Sequence, residues 1–201
     1  MLLHHRGEAI KEFRKALELD PNSAHAHDNL ATVYAEKKLY REAVGGYLTA
    51  LRLEPDSPTA HYNLACFLTT HALDMAVEEF QEAIELDPEY SDAHLNLGLA
   101  FADLGKPDEA LEAFTPFVAP PLENFVDYSA EARVRAVEIQ IKKGNKDKAF
   151  RLVKDTVSRM YKLSSHPVGG PHILRAKDLY KTLRDELKKP AEPDEGLWGI
   201  K

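Results

Sequence analysis

Apolar residues recur along this chain at helical spacing, and the pattern itself repeats about every 34 residues. Within 24–36, for example, Leu30, Ala31 and Tyr34 fall at i, i+1 and i+4, which places them on one face of a helix. The same residue types return in one register at several positions: Pro21, Pro55 and Pro88; Ala16, Ala50 and Ala83; Phe13, Tyr47, Phe80 and Phe114; Leu30, Leu64 and Leu97; and Ala9, Ala43, Ala76 and Ala110. A fixed period in this range predicts an all-α solenoid of stacked helical hairpins.

Each period contains two predicted helices followed by a proline. The Asp-Pro or Glu-Pro pair after each second helix ends it, because proline cannot continue the helical hydrogen bonding. The pattern predicts one domain over 1–189 that comprises a half repeat at 7–23, repeats at 24–57, 58–90 and 91–124, a divergent repeat at 130–163 and a capping helix at 172–189, followed by a flexible tail at 190–201. One hairpin cannot bury its apolar stripe alone, so we expect the copies to stack.

Two features depart from the regular pattern. Pro116 interrupts the second helix of the repeat at 91–124, and Gly45 and Gly46 lie in the middle of the second helix of the repeat at 24–57. A glycine inside a helix costs about 1 kcal/mol relative to alanine. We interpret the glycine pair as exposed and tolerated, with the close approach of a neighbour as the alternative.

The repeating segments resemble a known family, the tetratricopeptide repeat (TPR). The match is carried by HDNLATVYAEKKLYREAVGGYLTALRLEP at 27–55, with its Leu-Ala, Tyr, Ala, aromatic, Ala and Pro positions, and by DAHLNLGLAFADLGKPDEALEAF at 92–114, which includes Gly98 and Gly105. The resemblance implies a right-handed TPR superhelix whose first helices line a concave groove. It also implies a role in holding other proteins or peptides.

Composition and charge narrow the functional class. The chain is 44% hydrophobic and 29% charged, as in ordinary folded proteins, and it contains one cysteine, Cys66, so no intrachain disulfide forms. No stretch approaches the roughly 20 apolar residues of a membrane span, and we expect a cytoplasmic protein that does not insert into membranes.

The charges are unevenly distributed. Residues 1–128 carry 9 Lys and Arg against 23 Asp and Glu, whereas 129–201 carry 17 against 10. The acidic balance of the regular repeats argues against nucleic acid as a partner. The asymmetry reflects either solvated helix faces or poles that orient an oppositely charged partner or a second copy of the chain.

The sequence contains no catalytic signature. A Gly-rich phosphate loop, HExxH and GxSxG are all absent, so we predict no enzymatic activity and no cofactor. His27, His61 and His94 recur at a position where the family commonly has Trp. Helices pack roughly 8–10 Å apart, too far for equivalent residues to share a zinc ion about 2 Å from each nitrogen. We therefore predict no metal site and interpret these histidines as half-buried between helices.

An asparagine column is the most informative feature of the first helices. Asn29, Asn63 and Asn96 occupy one position on the face that, by the family resemblance, lines the groove. Asparagine disfavours helix interiors unless its amide is used, and the amide suits the backbone of a bound peptide. The alternative is that the amides tie neighbouring helices together. The predicted groove residues are Asn29, Asn63, Asn96, Asp28, Tyr62, Cys66, Leu95, Leu99 and Arg135.

Chaperone-binding members of the family place Lys or Arg beside the asparagines to clamp a carboxylate. Asp28, Tyr62 and Leu95 stand there instead, which argues against that type of site. We predict a non-enzymatic scaffold or adaptor that binds an extended or helical segment of another protein in its groove. The alternatives are a subunit that assembles head to tail through its acidic and basic ends, with the 7–20 helix docked on a neighbour, and the targeting domain of a larger enzyme.

Overall fold

A computed structural model describes residues 2–118, 127–163 and 171–190, with side chains from 6–118, 129–159 and 171–190. Residues 119–126 and 164–170, together with the predicted tail from residue 191 onward, lie outside the described residues.

Every regular element in the described part of the chain is an α-helix, which confirms the all-α prediction. The helices are α1 (Leu2–Leu19), α2 (Ala24–Glu36), α3 (Tyr40–Leu53), α4 (Pro58–Leu68), α5 (Leu73–Leu86), α6 (Ser91–Asp103), α7 (Pro107–Ala113), α8 (Thr115–Val118), α9 (Asp127–Lys142), α10 (Lys146–Leu163) and α11 (Pro171–Glu186). They form two compact units, 1–104 and 105–201.

In the first unit each hairpin packs on the next. Helix α2 pairs with α3 and α4 pairs with α5, while α1 packs on α2 and α6 packs on α5. The contacts use fully buried alanines, namely Ala31, Ala43, Ala50, Ala65, Ala76 and Ala83. Because alanine has only a methyl group, the helix axes approach closely, and the buried rings of Tyr47 and Phe80 fill the remaining space.

Local signals define the ends of these helices. Ser23 and Ser57 cap α2 and α4 by accepting hydrogen bonds from the Ala26 and Ala60 amides at 3.3 and 3.4 Å. Pro58 occupies the first turn of α4, where its missing N–H is harmless. The turn between α2 and α3 holds Lys38 at φ 61°, a left-handed conformation that favours glycine.

The two adjacent glycines of α3 have different surroundings. A Cβ on Gly45 would meet nothing within 4 Å, whereas one on Gly46 would lie 2.8 Å from the Ala31 Cβ and 3.1 Å from the His27 carbonyl oxygen. The interpretation as an exposed, tolerated pair therefore holds for Gly45 and is wrong for Gly46. At Gly46 the backbone of α3 rests against α2, its partner in the same hairpin.

This difference gives a matched pair of substitutions. We expect Gly45→Ala to raise the free energy of unfolding by about 1 kcal/mol, because it improves helix propensity in open space. Gly46→Ala should lower it by about 1–3 kcal/mol, because the new methyl forces α2 and α3 apart. Urea unfolding followed by circular dichroism measures both. Equal effects of the two substitutions would contradict the close contact at Gly46.

In the second unit, α7 ends at Ala113 and the four-residue α8 starts at Thr115, so the helix breaks just before Pro116. Helices α9, α10 and α11 pack together. Their core includes the fully buried Val137, Val153 and Tyr180. The last helix spans Pro171–Glu186, close to the predicted cap at 172–189.

Arg133 is a fully buried charge in the second unit, at the position that corresponds to the histidine column. Its guanidinium donates to the Thr156 hydroxyl at 2.9 Å, to the Phe117 carbonyl at 3.1 Å and to the carboxylate of Asp155. Burial lowers the pKa of Arg133, while Asp155 raises it. The ion pair and the carbonyl contacts compensate for the desolvation and join α8, α9 and α10.

Candidate functional site

The asparagine column connects the first helices of successive hairpins. Asn63 on α4 donates through Nδ2 to Oδ2 of Asp28 on α2 at 2.6 Å. Asn96 on α6 donates through Nδ2 to the Tyr62 hydroxyl at 3.0 Å and to the Cys66 sulfur at 3.7 Å, both on α4. The column therefore joins α2 to α4 and α4 to α6, as the alternative interpretation of these amides expects.

These contacts leave part of each amide unused. The Oδ1 atoms of Asn63 and Asn96 accept no hydrogen bond from any described residue. The side-chain amide of Asn29 forms no hydrogen bond with any described residue at all. All three side chains are half-buried. The column thus presents the Oδ1 acceptors of Asn63 and Asn96, one remaining N–H donor of Asn63 and the complete amide of Asn29.

Asp28 is the most unusual residue of the column's surroundings. It is only 6% exposed, and its Oδ2 accepts the Asn63 bond while its buried Oδ1 has no partner among the described residues. Burial raises the pKa of the Asp28 carboxyl, and this outweighs the lowering by the Asn63 hydrogen bond and by the charge of His25. A buried acceptor without a donor is costly, so Asp28 marks this location as a candidate site.

A small cavity of about 40 Å³ adjoins Asp28. Four of its lining residues are buried, namely Ala24, Asp28, Ala50 and Ala60. Its other lining residues are the exposed His25, Glu54 and Thr59, together with the half-buried Ser57. The cavity therefore combines an apolar wall, a buried carboxylate and an exposed carboxylate.

Tyr62 and Cys66 form a packed centre next to Asn96. The Tyr62 ring lies 4.9 Å from the Tyr90 ring and 5.8 Å from the Phe80 ring, measured between centroids. Burial raises the pKa of the Tyr62 phenol and that of the Cys66 thiol. Cys66 is a free cysteine whose thiol stays protonated at neutral pH, so it acts here as a weak hydrogen-bonding group and not as a nucleophile.

The remaining predicted groove residues differ in accessibility. Leu95 is 8% exposed, so it offers little surface to a partner, whereas Leu99 is half-buried. Arg135 belongs to the second unit, on α9, where its guanidinium lies 3.9 Å from Glu131 and 3.6 Å from Glu138. Its assignment to the groove stays a prediction.

The three histidines of the column have a common contact that the sequence analysis missed. His27, His61 and His94 each place Nε2 about 3 Å from the carbonyl oxygen of the proline six residues earlier, at 3.0, 2.9 and 3.0 Å respectively. A carbonyl only accepts, so Nε2 carries the proton in each case. Each histidine therefore fastens the start of a first helix to the preceding turn. The constant six-residue separation was the available signal.

The Asp28 cavity was the second feature that sequence reasoning missed. The sequence predicts Asp28 only as a groove residue that stands where a carboxylate clamp would need Lys or Arg. The signal was its column, where the equivalent residues Tyr62 and Leu95 are large and uncharged. An acid at such a position is expected to be desolvated.

Two segments of the chain match a known repeat pattern. Residues 7–38 and 72–113 match the family model described as TPR repeat. These two segments are tetratricopeptide repeats. Such repeats support a general role in protein–protein interaction, and proteins built from them are generally non-enzymatic scaffolds.

Solved tetratricopeptide repeat proteins share this fold. A crystal structure of MamA is 24% identical, with a TM-score of 0.65 over 78% of this chain and 90% of that chain. The Pseudomonas aeruginosa pilF protein is 21% identical, with a TM-score of 0.64 over 98% and 90%. YrrB, described as a TPR protein with an unusual peptide-binding site, is 24% identical, with a TM-score of 0.58 over 94% and 86%.

Comparison with curated protein sequences gave no match. Among the described helices of this repeat protein, none has the length and apolar character that crossing a bilayer requires. The described side chains also include no group of three or more His, Cys, Asp and Glu placed to hold a metal ion.

The buried charge predicts how Asp28→Asn changes stability with pH. The folded-state pKa of Asp28 is raised above its ordinary value of 3.8, so ionisation of this carboxyl destabilises the folded state. The destabilisation is complete above the folded-state pKa, and it is absent below 3.8, where the carboxyl is neutral in both the folded and the unfolded state. Asp28→Asn keeps an acceptor for Asn63 and removes the charge. We expect it to raise the free energy of unfolding at neutral pH by about 1 kcal/mol.

Urea unfolding across the acidic range provides the measurement. The advantage of Asp28→Asn should shrink as the pH falls through the folded-state pKa, because the wild-type carboxyl then becomes neutral as well. Glu82→Gln, an exposed acid on α5, is the control and should change stability little. A variant that is less stable than wild type at neutral pH would contradict the cost assigned to the buried carboxylate.

Proposed function

We propose that the chain is a non-enzymatic scaffold whose first unit binds an extended or helical segment of a partner protein along α2, α4 and α6. The observation that carries this proposal is the row of unused amide groups on Asn29, Asn63 and Asn96, which recur once per repeat. Their recurrence suits a ligand that itself has a repeating pattern of polar groups, as a polypeptide backbone has.

The hydrogen bonds inside the column determine which amide groups remain for a partner. Asn96 directs its Nδ2 to both Tyr62 and Cys66 and so offers its Oδ1 acceptor, whereas Asn63 uses one of its two N–H donors on Asp28 and offers Oδ1 and the other N–H. Backbone N–H groups of a partner supply the matching donors. Asn29 offers both a donor and an acceptor. Half-buried Leu99 adds apolar surface beside the column.

The same contacts decide which substitutions give a clean test. Asn63→Ala would remove the donor to Asp28 and leave that carboxylate without a side-chain partner, so a loss of binding could reflect a disturbed fold. Asn29 has no such contact with the described residues. Asn96 donates to the Tyr62 hydroxyl and the Cys66 sulfur, which are uncharged, so Asn96→Ala leaves no buried charge without its partner. Asn29→Ala with Asn96→Ala is therefore the preferred pair.

A displayed library of random dodecapeptides, selected against the full chain, would supply ligands. We expect the selected peptides to bind Asn29→Ala/Asn96→Ala at least about tenfold more weakly than wild type, since each lost hydrogen bond contributes about 1 kcal/mol. Isothermal titration calorimetry gives the dissociation constants, and circular dichroism confirms that the variant is folded.

The control for this test lies on the second helices of the hairpins. Leu48 on α3 and Met75 on α5 are each 54% exposed, and Leu48→Ser/Met75→Ser changes a surface of comparable size. Peptides that lose affinity for this variant, while binding the asparagine variant as tightly as wild type, would show that the groove is not the binding surface.

Self-association is a second candidate, favoured by the exposure of α1. None of its described side chains is buried; Ile10, Phe13 and Leu17 are half-exposed and Leu19 is 82% exposed. An apolar stripe of this kind is usually covered. A neighbouring copy could cover it, with the acidic first part of one chain facing the basic last part of the next.

Sedimentation equilibrium over a range of protein and salt concentrations tests this candidate. Head-to-tail assembly predicts an average mass that rises with protein concentration and falls with salt, because salt screens the attraction between the charged ends. Phe13→Ser should reduce the association at low salt. A monomer at every concentration would exclude the candidate without affecting the groove.

A further inference from the structure

We propose that the Asp28 cavity binds the ammonium group of a lysine side chain that the partner segment carries. The inference deepens the proposed function and rests on it for the source of the lysine. Its basis is the combination of a cavity, a buried carboxylate oxygen without a donor, and a second carboxylate at the same opening.

The charge of the site favours a cation. Asp28 and Glu54 both line the cavity, and Glu54 forms no ion pair with any residue that the structure describes. The unit that contains them, residues 1–104, carries 8 Lys and Arg against 18 Asp and Glu. A positive group that approaches this unit is attracted over a long range before it reaches the cavity.

The hydrogen-bonding capacity of the site also calls for a donor. Oδ1 of Asp28 is buried and has no partner in the described part of the chain, so a ligand that donates to it recovers the cost of that unpaired acceptor. An ammonium group has three N–H donors and no acceptor. It can donate to Asp28, to the carboxylate of Glu54 and to the hydroxyl of Thr59, all of which line the cavity.

The size and wall of the cavity select among cations. A volume of about 40 Å³ exceeds the roughly 10–15 Å³ that one water requires, so it accommodates a compact ammonium. A guanidinium is planar and larger, and it needs a flat pair of acceptors. The methyl groups of Ala24, Ala50 and Ala60 provide an apolar wall along which the methylene stem of a lysine can lie.

His25 is the one basic group among the residues that line the cavity. Its positive form lowers the pKa of Asp28 and would repel an incoming ammonium.

The test uses the full chain and three capped heptapeptides of alanine and serine that differ only at the central residue: lysine, norleucine or arginine. Binding is followed by the amide chemical shifts of the isotopically labelled protein. We expect the lysine peptide to perturb the amides of residues 24–28 and 57–60 in a saturable way. The norleucine peptide, which lacks the charge, should bind at least about tenfold more weakly.

Substitutions around the cavity provide the second readout. Asp28→Asn should weaken the lysine peptide by about tenfold or more, and Glu54→Gln should weaken it by about threefold, because Glu54 is exposed and screened by solvent. Glu82→Gln removes the same charge from an exposed position on α5 and should change the affinity less than twofold. Because Glu54 lies at the surface, Glu54→Gln does not disturb the core, and its effect on binding can be interpreted even if Asp28→Asn affects folding.

Several results would overturn the proposal. If the norleucine peptide bound as tightly as the lysine peptide, the positive charge would not contribute to binding. If the arginine peptide bound as tightly as the lysine peptide or more tightly, the cavity would not select an ammonium group. If Asp28→Asn and Glu82→Gln weakened the binding of the lysine peptide equally, the loss would reflect the net charge of the protein and not a contact in the cavity. Ammonium chloride that produces the same shifts at the same concentration would identify a site for free cations and not for a side chain.

The outcome is separable from that of the groove. If Asp28→Asn weakens the lysine peptide while Asn29→Ala/Asn96→Ala leaves the affinity of the library peptides unchanged, the cavity binds lysine and the groove proposal is wrong. If the library peptides require the asparagines and bind Asp28→Asn as tightly as wild type, the groove stands and the lysine site fails.

Discussion

The structure depends on the close contact of helix backbones at small residues. Fully buried alanines recur where helices cross, and at Gly46 even a methyl group would collide with Ala31. Such contacts hold each hairpin at one separation and one rotation, because an interior packed to this density does not deform gradually. The polar bridges between successive first helices require this regularity. Asn63 reaches Asp28 at 2.6 Å only because α2 and α4 stand at the spacing that the small residues set.

Much of the fold could be predicted from the sequence, because the helices depend on local periodicity. The pattern of apolar residues located the helices of the first unit, since a helical face repeats in the sequence as it does in space. The close packing of Gly46 could not be predicted in this way. Whether a glycine faces its partner or solvent depends on how far the helix is rotated about its axis, and Gly45 and Gly46 differ by one step of that rotation.

The candidate site was less predictable than the fold for the same reason. The repeated register identified Asn29, Asn63 and Asn96 as one column, but not which of their atoms remain free. That depends on neighbours more than 30 residues away, such as Asp28 for Asn63 and Tyr62 for Asn96. A shift of less than 1 Å separates a hydrogen bond from a contact of no consequence, and periodicity has no such resolution. The desolvation of Asp28 depends in the same way on packing.

The buried carboxylate of Asp28 lowers the stability of the fold while it supplies the acceptor for the proposed ligand. An uncharged residue would suit the position of Asp28, as Tyr62 and Leu95 do in the equivalent places of the next repeats. Residues that lower stability are retained at sites where their unsatisfied groups interact with a ligand. Arg133 shows the contrasting arrangement, because its guanidinium is buried but satisfied by a carboxylate, a hydroxyl and backbone carbonyls. One buried charge completes a core, and the other leaves an oxygen free.

The bonds from His27, His61 and His94 to prolines have a practical consequence for the study of this protein. At His27 and His94 the bond favours the tautomer with the proton on Nε2, and nitrogen resonances distinguish the two tautomers. His61 differs, because its Nδ1 also lies 2.7 Å from a carboxylate oxygen of Glu79. Each junction between consecutive hairpins therefore contains a histidine whose NMR signals report on that junction, without any added label. Fraying of one junction during unfolding would be visible separately from the others, so the order in which the array comes apart could be followed repeat by repeat.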